Sequence, residues 1–501
     1  MDQAAAAASV SLQQGSKWYA VFVCVFASLG GLYFGYDLGA SGGVLVMSSF
    51  LTHFCVGYGG NRYEACAAST LPQNWVDFTT TYMVVYYVGC MVGAYLGGVI
   101  ADKRGRRAAI FSAALLYCIG NVILLVTGKG NHAMALLARV IQGLGVGNSS
   151  FSMPLFGAEM APKELRGMLS GFMSMSVTTG TLTAGLIGYG LQDWANGWRT
   201  TVSVATIFPV VLMLGIFTLP ESPRWLYQYK GRQAAEASLA RLRRTDDVGD
   251  ELKTIGDVID QVGTEEASWK DVFDPSVRRR VLIAMALQAL QQMTGVTIIF
   301  AYGAQIFNDV LGNGIIALLI FQATGFLTTI PTMYWVDKVG RRKLLLYGGF
   351  GMILSHLMTG ILSSIGCHTD SDGLRCSKGA GWAMIIATAF FVFCFSISWG
   401  PITWIYPAEI FPLKVRARAV SLSSFSNWAM VAVMIVAPKL IPYLHVNGTF
   451  FLFAGLCIGG NTFVYFFCPE TKNLALEDIE RLFSAHRSLD VDIQTPAEDR
   501  F

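Results

Sequence analysis

Asp37 stands near the far end of an apolar stretch, 18–39, between Gly35 and Gly39. A carboxylate held in hydrocarbon costs roughly 2.5–3.5 kcal/mol on insertion scales, so it must be paired, protonated or turned towards water. Burial favours its protonated form and a nearby cation its ionised form. A carboxylate whose surroundings alternate between the two is suited to loading and releasing a proton. The natural cation is Arg139, in the apolar stretch 134–155, where Gly143 and Gly147 follow at four-residue steps and would let another helix approach closely. The competing reading is a static ion pair that joins two helices. Gln288, Gln291 and Gln292 stand at i, i+3 and i+4, one face of a helix, just before Gly295 loosens it. Three amides on one stripe offer donors and acceptors to a ligand made of hydroxyls, or else bond one helix to another. Asn427, in Phe425-Ser-Asn-Trp428, is a further amide, and Phe34, one turn before Asp37, could line the same pocket from the opposite half of the chain.

Elements that cross a membrane would have to position these groups. Of the 501 residues, 53% are hydrophobic and only 14% charged, against about a quarter charged in soluble chains. Apolar runs able to span about 30 Å of hydrocarbon fall near 18–39, 80–101, 108–127, 134–155, 168–190 and 200–219, and again near 280–303, 314–336, 344–365, 382–404, 419–441 and 449–468. The expected fold is an all-α membrane protein of twelve transmembrane helices. It would be divided into a tail (1–17), a six-helix bundle (18–219), a charged helical linker (220–279), a second bundle (280–468) and a tail (469–501). The 53 glycines, without a triplet period, suit close-packed membrane helices. Residues 1–16 are rich in Ala, Ser and Gln without a cationic start, so the first span reads as a retained anchor, not a cleaved signal.

The net charge of +3 is too weak to argue for an acidic partner such as nucleic acid, which is not expected, so only the placement of charge is informative. Four Lys or Arg lie in 102–107, four in 338–343 and eleven in 220–280, whereas 41–79 has only Arg62 and 304–313 has none. The positive-inside rule puts both termini and the linker in the cytoplasm. Cys24, Cys90, Cys118, Cys394, Cys457 and Cys468 lie in or at the ends of spans as small packing residues. Cys55 and Cys66, and Cys367 and Cys376, lie in two outside loops and are placed to close local disulfides, cross-pairing between the loops being the alternative. The sequon Asn447-Gly-Thr449 is on the same side, hard against a span.

Three motifs recur in order. Asp102-Lys-Arg-Gly-Arg-Arg107 returns as Asp337-Lys-Val-Gly-Arg-Arg342, Glu159-Met-Ala-Pro-Lys-Glu-Leu-Arg166 as Glu409-Ile-Phe-Pro-Leu-Lys-Val-Arg416, and Pro220-Glu-Ser as Pro469-Glu-Thr, at offsets of 235, 250 and 249. Two parallel six-span halves imply a pseudo-two-fold axis along the membrane normal, with a site at mid-depth that opens to each side in turn.

With Arg139-x-x-x-Gly143-x-Gly145-x-Gly147, Pro220-Glu-Ser-Pro-Arg-Trp-Leu226, Gln291-Gln-Met-Thr-Gly295, Pro407-Ala-Glu-Ile-Phe411 and Pro469-Glu-Thr-Lys472, these motifs resemble the sugar porter family of the major facilitator superfamily. Phe34-Gly-Tyr-Asp-Leu-Gly-Ala-Ser-Gly-Gly43 is closest to its plant and fungal proton-coupled monosaccharide symporters. The resemblance covers about 17–485. It implies that Asp37 and Arg139 couple to protons and that Gln291 and Gln292 bind sugar hydroxyls. It also implies that Trp404, after Gly400-Pro401, stacks on the apolar face of the sugar ring, its other role being that of an interfacial belt residue. Asp102, Arg106, Glu159 and Arg166, with Asp337, Arg341, Glu409 and Arg416, match positions that form cytoplasmic ion pairs between the halves, in competition with a plain topology-setting role. The 41–79 loop would form a lid over the outer entrance.

The departures are Ser174, Thr297 and Gly325, where the family usually has Gln, Asn and Asn. Each lost hydrogen bond is worth about 0.5–1.5 kcal/mol, enough to alter substrate choice. The expectation is a proton-coupled monosaccharide symporter, most simply for a hexose, working as a monomer by alternating access in the plasma membrane. The alternatives are a passive uniporter of the same fold, a non-transporting sugar sensor, and a polyol or organic-acid carrier. No nucleophile elbow, HExxH or Walker sequence occurs, so no enzyme, metal or cofactor is expected.

Overall fold

In lipid a backbone amide finds no partner outside its own segment, so each apolar run closes its hydrogen bonds internally as a helix. The computed structural model describes residues 17–67, 71–161, 166–262, 269–311, 313–370, 373–412, 415–472 and 483; the tail 1–16 and most of 473–501 lie outside the described residues. The first half consists of α1 (Lys17–Val44), α2 (Gln73–Arg104), α3 (Arg106–Val126), α4 (His132–Met160), α5 (Arg166–Leu191) and α6 (Gly197–Ile216). The linker forms α7 (Pro223–Lys230), α8 (Arg232–Arg243) and α9 (Gly249–Val262). The second half consists of α10 (Arg278–Met293), α11 (Val296–Leu311), α12 (Gly314–Val339), α13 (Arg341–Gly366), α14 (Lys378–Ile397), α15 (Trp399–Ile410), α16 (Arg416–Met434) and α17 (Ile441–Phe467).

The pairs α10–α11 and α14–α15 are each one broken crossing, so each half crosses six times. Nine crossings, counted over the described residues, are long and apolar enough to span a bilayer alone. Helix α4 shows why others fall short: Arg139, Gln142, Asn148, Ser149, Ser150 and Ser152 are all buried in it. The first break lies at Gly295, whose φ of 87° is one a side chain resists and where a Cβ would press on the Phe453 ring. The second begins at Ser398 (φ −132°, ψ −86°), upstream of the expected Gly400-Pro401. Pro401 instead falls in the first turn of α15, where its missing N–H costs nothing.

Packing repeats between the halves. Helix α4 packs on α2 and α3, α1 on α5 and α3 on α6; correspondingly α14 packs on α12 and α13, α10 on α16 and α13 on α17. Between the halves α2 meets α16, α5 meets α12 and α1 meets α11. At the α2–α4 crossing, a Cβ on Gly143 or Gly147 would collide with the carbonyl oxygens of Tyr86 and Cys90. Gly143→Leu is therefore expected to destabilise the first half by about 1–3 kcal/mol or more, read as a lower melting temperature of the detergent-solubilised protein.

The linker docks on the first half. Trp225 Nε1 donates to the Asp102 carbonyl at 2.8 Å, and Arg243 pairs with Glu251 at 2.8 Å while donating to the Met160 carbonyl at 3.3 Å. Beyond the end of α1, residues 48–66 form short helical turns around Phe50 and Phe54, which pack with Trp75, Phe78 and Trp198. Burial pushes the His53 imidazole below its ordinary value, although its Nε2 lies 3.1 Å from the Thr127 carbonyl. Cys55 is disulfide-bonded to Cys66 and Cys367 to Cys376, so pairing is within each loop. The second disulfide joins facing ends of an antiparallel hairpin, β1 (Cys367–Asp370) and β2 (Gly373–Cys376), a local exception to the all-helical expectation.

Candidate functional site

Helices α1 to α4 bring one charged pair together. Asp37 and Arg139 are 7% and 3% exposed, and Arg139 Nη1 lies 3.3 Å from Asp37 Oδ1. Tyr117 donates to the same oxygen at 3.1 Å. The other carboxylate oxygen, Oδ2, is buried without a hydrogen-bond partner among the described residues. Arg139 is held at both Nη atoms and on its faces: Nη2 donates to Ser41 Oγ at 2.7 Å, Nη1 to Gln142 Oε1 at 3.1 Å, and its guanidinium carbon is 4.5 Å from the ring centres of both Tyr82 and Tyr86, while its buried Nε has no hydrogen-bond partner among the described residues. The sequence reading missed this cage, although Tyr82 and Tyr86 at i, i+4 and Gln142 one turn from Arg139 were available signals.

In the second half the amides converge on Asn427. Its Nδ2 donates to Gln288 Oε1 at 2.7 Å and to Gln291 Oε1 at 2.9 Å, and its Oδ1 accepts from Gln292 Nε2 at 3.2 Å. The remaining amide groups reach the α14–α15 break and the α10–α11 break: Gln288 Nε2 donates to the Thr403 carbonyl at 2.9 Å, Gln291 Nε2 to the Trp399 carbonyl at 2.9 Å, and Thr297 Oγ1 to Gln292 Oε1 at 2.6 Å. Backbone carbonyls of α15 and amide side chains therefore share one polar patch. Gln288, Gln291, Gln292, Thr297 and Asn427 are buried, and Trp404 and Ser174 half-buried, on α15 and α5. A Cβ at Gly325 would meet only Ser396 and Val392 at ordinary contact distance, so room is left where an amide is missing.

Phe34 meets the second half directly, edge-on to Trp428 at 5.8 Å, while Trp428 stacks on Tyr87 at 6.2 Å and donates to Ser150 Oγ at 3.2 Å. Trp428 went unremarked in the sequence because nothing local distinguishes it from a packing aromatic. At the end of the bundles that holds Gly39 the halves are joined by Gln322 Nε2 to the Gly39 carbonyl at 3.2 Å, Asn313 Nδ2 to Gln192 Oε1 at 3.1 Å and Lys439 to Asp77 at 2.7 Å. Exposed pairs such as the last contribute little stability. Lys439→Gln is expected to loosen this junction of the halves, read as faster labelling of a cysteine introduced at the same end of α11, without loss of folded protein.

On the opposite side the repeated motif builds the same corner twice. Arg106 pairs with Glu159 at 3.0 Å and with Asp102 at 3.5 Å; Arg341 pairs with Glu409 at 2.8 Å. These pairs join residues of one half, not the two halves as expected, because Glu159 and Glu409 end the helices that pack beside their own arginines. Arg416 Nη2 donates to the Phe411 carbonyl at 3.1 Å. The side chains of Arg166 and Asp337 lie outside the described residues. Glu221 caps α3 by accepting from the N–H groups of Arg106 and Arg107 at 3.1 and 3.2 Å, and Glu470 caps α13 through Arg341 and Arg342 at 2.8 and 3.1 Å. Burial pushes the Glu221 carboxyl upward from its ordinary value, with the backbone donors and Arg107 pulling it back. The motif Pro-Glu-Ser/Thr thus serves as a carboxylate cap on a helix N-terminus, a role the sequence comparison of the halves did not assign.

Residues 23–483 match the family described as sugar (and other) transporter. Sugar transport protein 10 of Arabidopsis thaliana is 30% identical over 95% of this chain and 93% of its own length. Sugar transport protein MST8 of Oryza sativa subsp. japonica is 31% identical over 93% and 92%. Among solved structures, the proton:xylose symporter XylE bound to 6-bromo-6-deoxy-D-glucose superposes with a TM-score of 0.75 at 23% identity, covering 93% of this chain and all of that one. Its inward-open form from E. coli gives 0.73 at 24% identity over 92% of this chain. The fold is that of the major facilitator superfamily, and this multi-pass membrane protein is a carrier, not an enzyme: the chain belongs to the sugar (and other) transporter family.

Proposed function

We propose that this sugar transporter is a proton-coupled monosaccharide symporter, of the hexose class, working by alternating access. The observation that carries the reading is Asp37: a buried carboxylate paired with Arg139 through one oxygen while the other, Oδ2, has no partner. A proton placed on Oδ2 removes the charge that holds Arg139, so protonation and the state of α1 against α4 change together. The sugar sits between Phe34 and Ser174 of the first half and Gln288, Gln291, Gln292, Thr297, Trp404 and Asn427 of the second. Its hydroxyls bond to the amides that Asn427 holds in place, and Trp404 covers its C–H face. Outward opening requires the contacts at Gly39, Gln192 and Asp77 to part. The cytoplasmic pairs, Arg106 with Glu159 and Arg341 with Glu409, brace each half as a rigid body during the swing.

The divisions 18–219 and 280–468 are the moving bundles and 220–279 a cytoplasmic brace. Both termini face the cytoplasm, the membrane is the plasma membrane, and the working unit is a monomer. In proteoliposomes with an alkaline, negative interior, labelled glucose is expected to accumulate above equilibrium and to leak out when a protonophore is added. Uptake that merely equilibrates makes the chain a passive uniporter, and binding without flux makes it a sensor. A competition panel of pentoses, polyols and organic acids tests the substrate class.

A further inference from the structure

Arg139 has more acceptors than its ion pair requires. On the same nitrogen that faces Asp37 Oδ1 at 3.3 Å, Gln142 Oε1 is nearer, at 3.1 Å. Gln142 cannot turn away, because its Nε2 donates to Asn121 Oδ1 at 2.5 Å and Asn121 Nδ2 in turn donates to Thr206 Oγ1 at 3.1 Å. Asn121 also lies against the Tyr117 phenol, whose hydroxyl reaches Asp37. Gln142 and Asn121 are 1% and 0% exposed, so a bond lost here is not replaced by water.

We infer that Gln142, oriented by Asn121, is a positioning residue that shares Arg139 with Asp37 and thereby sets the acidity at which Asp37 takes up its proton. This rests on the symport reading. When Asp37 is protonated, Arg139 remains charged and buried, and a buried cation without an acceptor is costly. Gln142 supplies a neutral acceptor that stays in place through that step, together with Ser41 and the two tyrosine rings. The firmer its hold on Arg139, the weaker the pull of Arg139 on the carboxylate, and the less acid is needed to protonate Asp37. The other titratable groups around Asp37 are Tyr117 from α3 and Tyr82, Tyr86, Tyr87 and Cys90 from α2. Tyr302 stands on α11, which also packs on α1. Helices α5 and α6 meet α1 there through Val177, Thr181 and Thr201. Phenols and thiols ordinarily titrate above about pH 8, so Arg139 is the permanent charge beside Asp37.

The test is the pH profile of initial labelled-glucose uptake in proteoliposomes. Gln142→Met, which keeps the bulk and removes the acceptor, is expected to move the midpoint about one pH unit towards acid. Gln142→Glu, which adds a second carboxylate to Arg139, is expected to move it towards alkali. Asn121→Ala, which frees Gln142 without touching Arg139, shifts it towards acid by less and carries the test if Gln142→Met does not fold. A purely structural role would lower the maximal rate in all three with the midpoint unmoved, and that result overturns the inference. If the wild type accumulates glucose and loses accumulation with a protonophore while the midpoints stay put, the symport reading survives and this inference fails. If the wild type shows no accumulation, the symport reading itself fails.

Discussion

Asp37→Asn is expected to leave a carrier that exchanges labelled sugar across the membrane but no longer concentrates it. Asparagine is nearly isosteric, so its Oδ1 can still accept from Arg139 Nη1 and the Tyr117 hydroxyl, now at 3.3 and 3.1 Å. Its amide nitrogen takes the place of Oδ2, which has no partner to lose. Arg139 keeps Gln142, Ser41 and the rings of Tyr82 and Tyr86, so the fold should survive. What disappears is the titration. One proton moving down a potential of about 100 mV carries roughly 2.3 kcal/mol. At about 1.36 kcal/mol per tenfold, that is an accumulation of about fiftyfold, and each pH unit of gradient adds a further factor of about ten. The substitution should reduce that ratio to one while counterflow of preloaded sugar persists. A variant that still accumulates sugar against its gradient would falsify the assignment of Asp37.

The second large effect is expected at Asn427. Its side chain is 1% exposed and orients three glutamines at once. Asn427→Ala removes one contact to sugar, worth about 0.5–1.5 kcal/mol. It also frees the Gln288 and Gln291 amides, which must then be ordered on binding at about 0.5–1.5 kcal/mol each. The sum is about 1.5–4.5 kcal/mol, centred on about 3, so at about 1.36 kcal/mol per tenfold KM for glucose should rise about 150-fold, and by no less than about tenfold. The pH midpoint of uptake should not move, since Asp37 lies in the other half. Asn427→Gln, with the same donors displaced by one methylene, should recover only part of the affinity. An unchanged KM in the alanine variant would place the sugar elsewhere.

Much of the architecture was legible along the chain. Hydropathy is a local property, and a segment either can or cannot satisfy its backbone in lipid, so the spans followed from composition in windows of about twenty residues. The repeated Asp-Lys-x-Gly-Arg-Arg motif likewise implied two like halves, and the packing of α4 on α3 and of α14 on α13 follows the same plan. The pair Asp37 and Arg139 could be connected on paper because few charges lie within the spans and each needs a partner there.

Partner choice among the neutral polar groups was not legible. Whether the three glutamines face hydroxyls or one another depends on Asn427, 135 to 139 residues away in sequence, and on where α15 begins. The same holds for the Tyr82–Tyr86 cage, which needs α2 to lie against the glycines of α4, and for Glu159, which turns to Arg106 in its own half. Sequence by itself determined the spans, the doubling of the fold and the few residues that could not be buried alone, since those depend on composition within one segment. Tertiary structure alone decided which acceptor each buried donor holds, because hydrogen bonds reach only about 3 Å and helix crossings place groups from distant segments inside that reach.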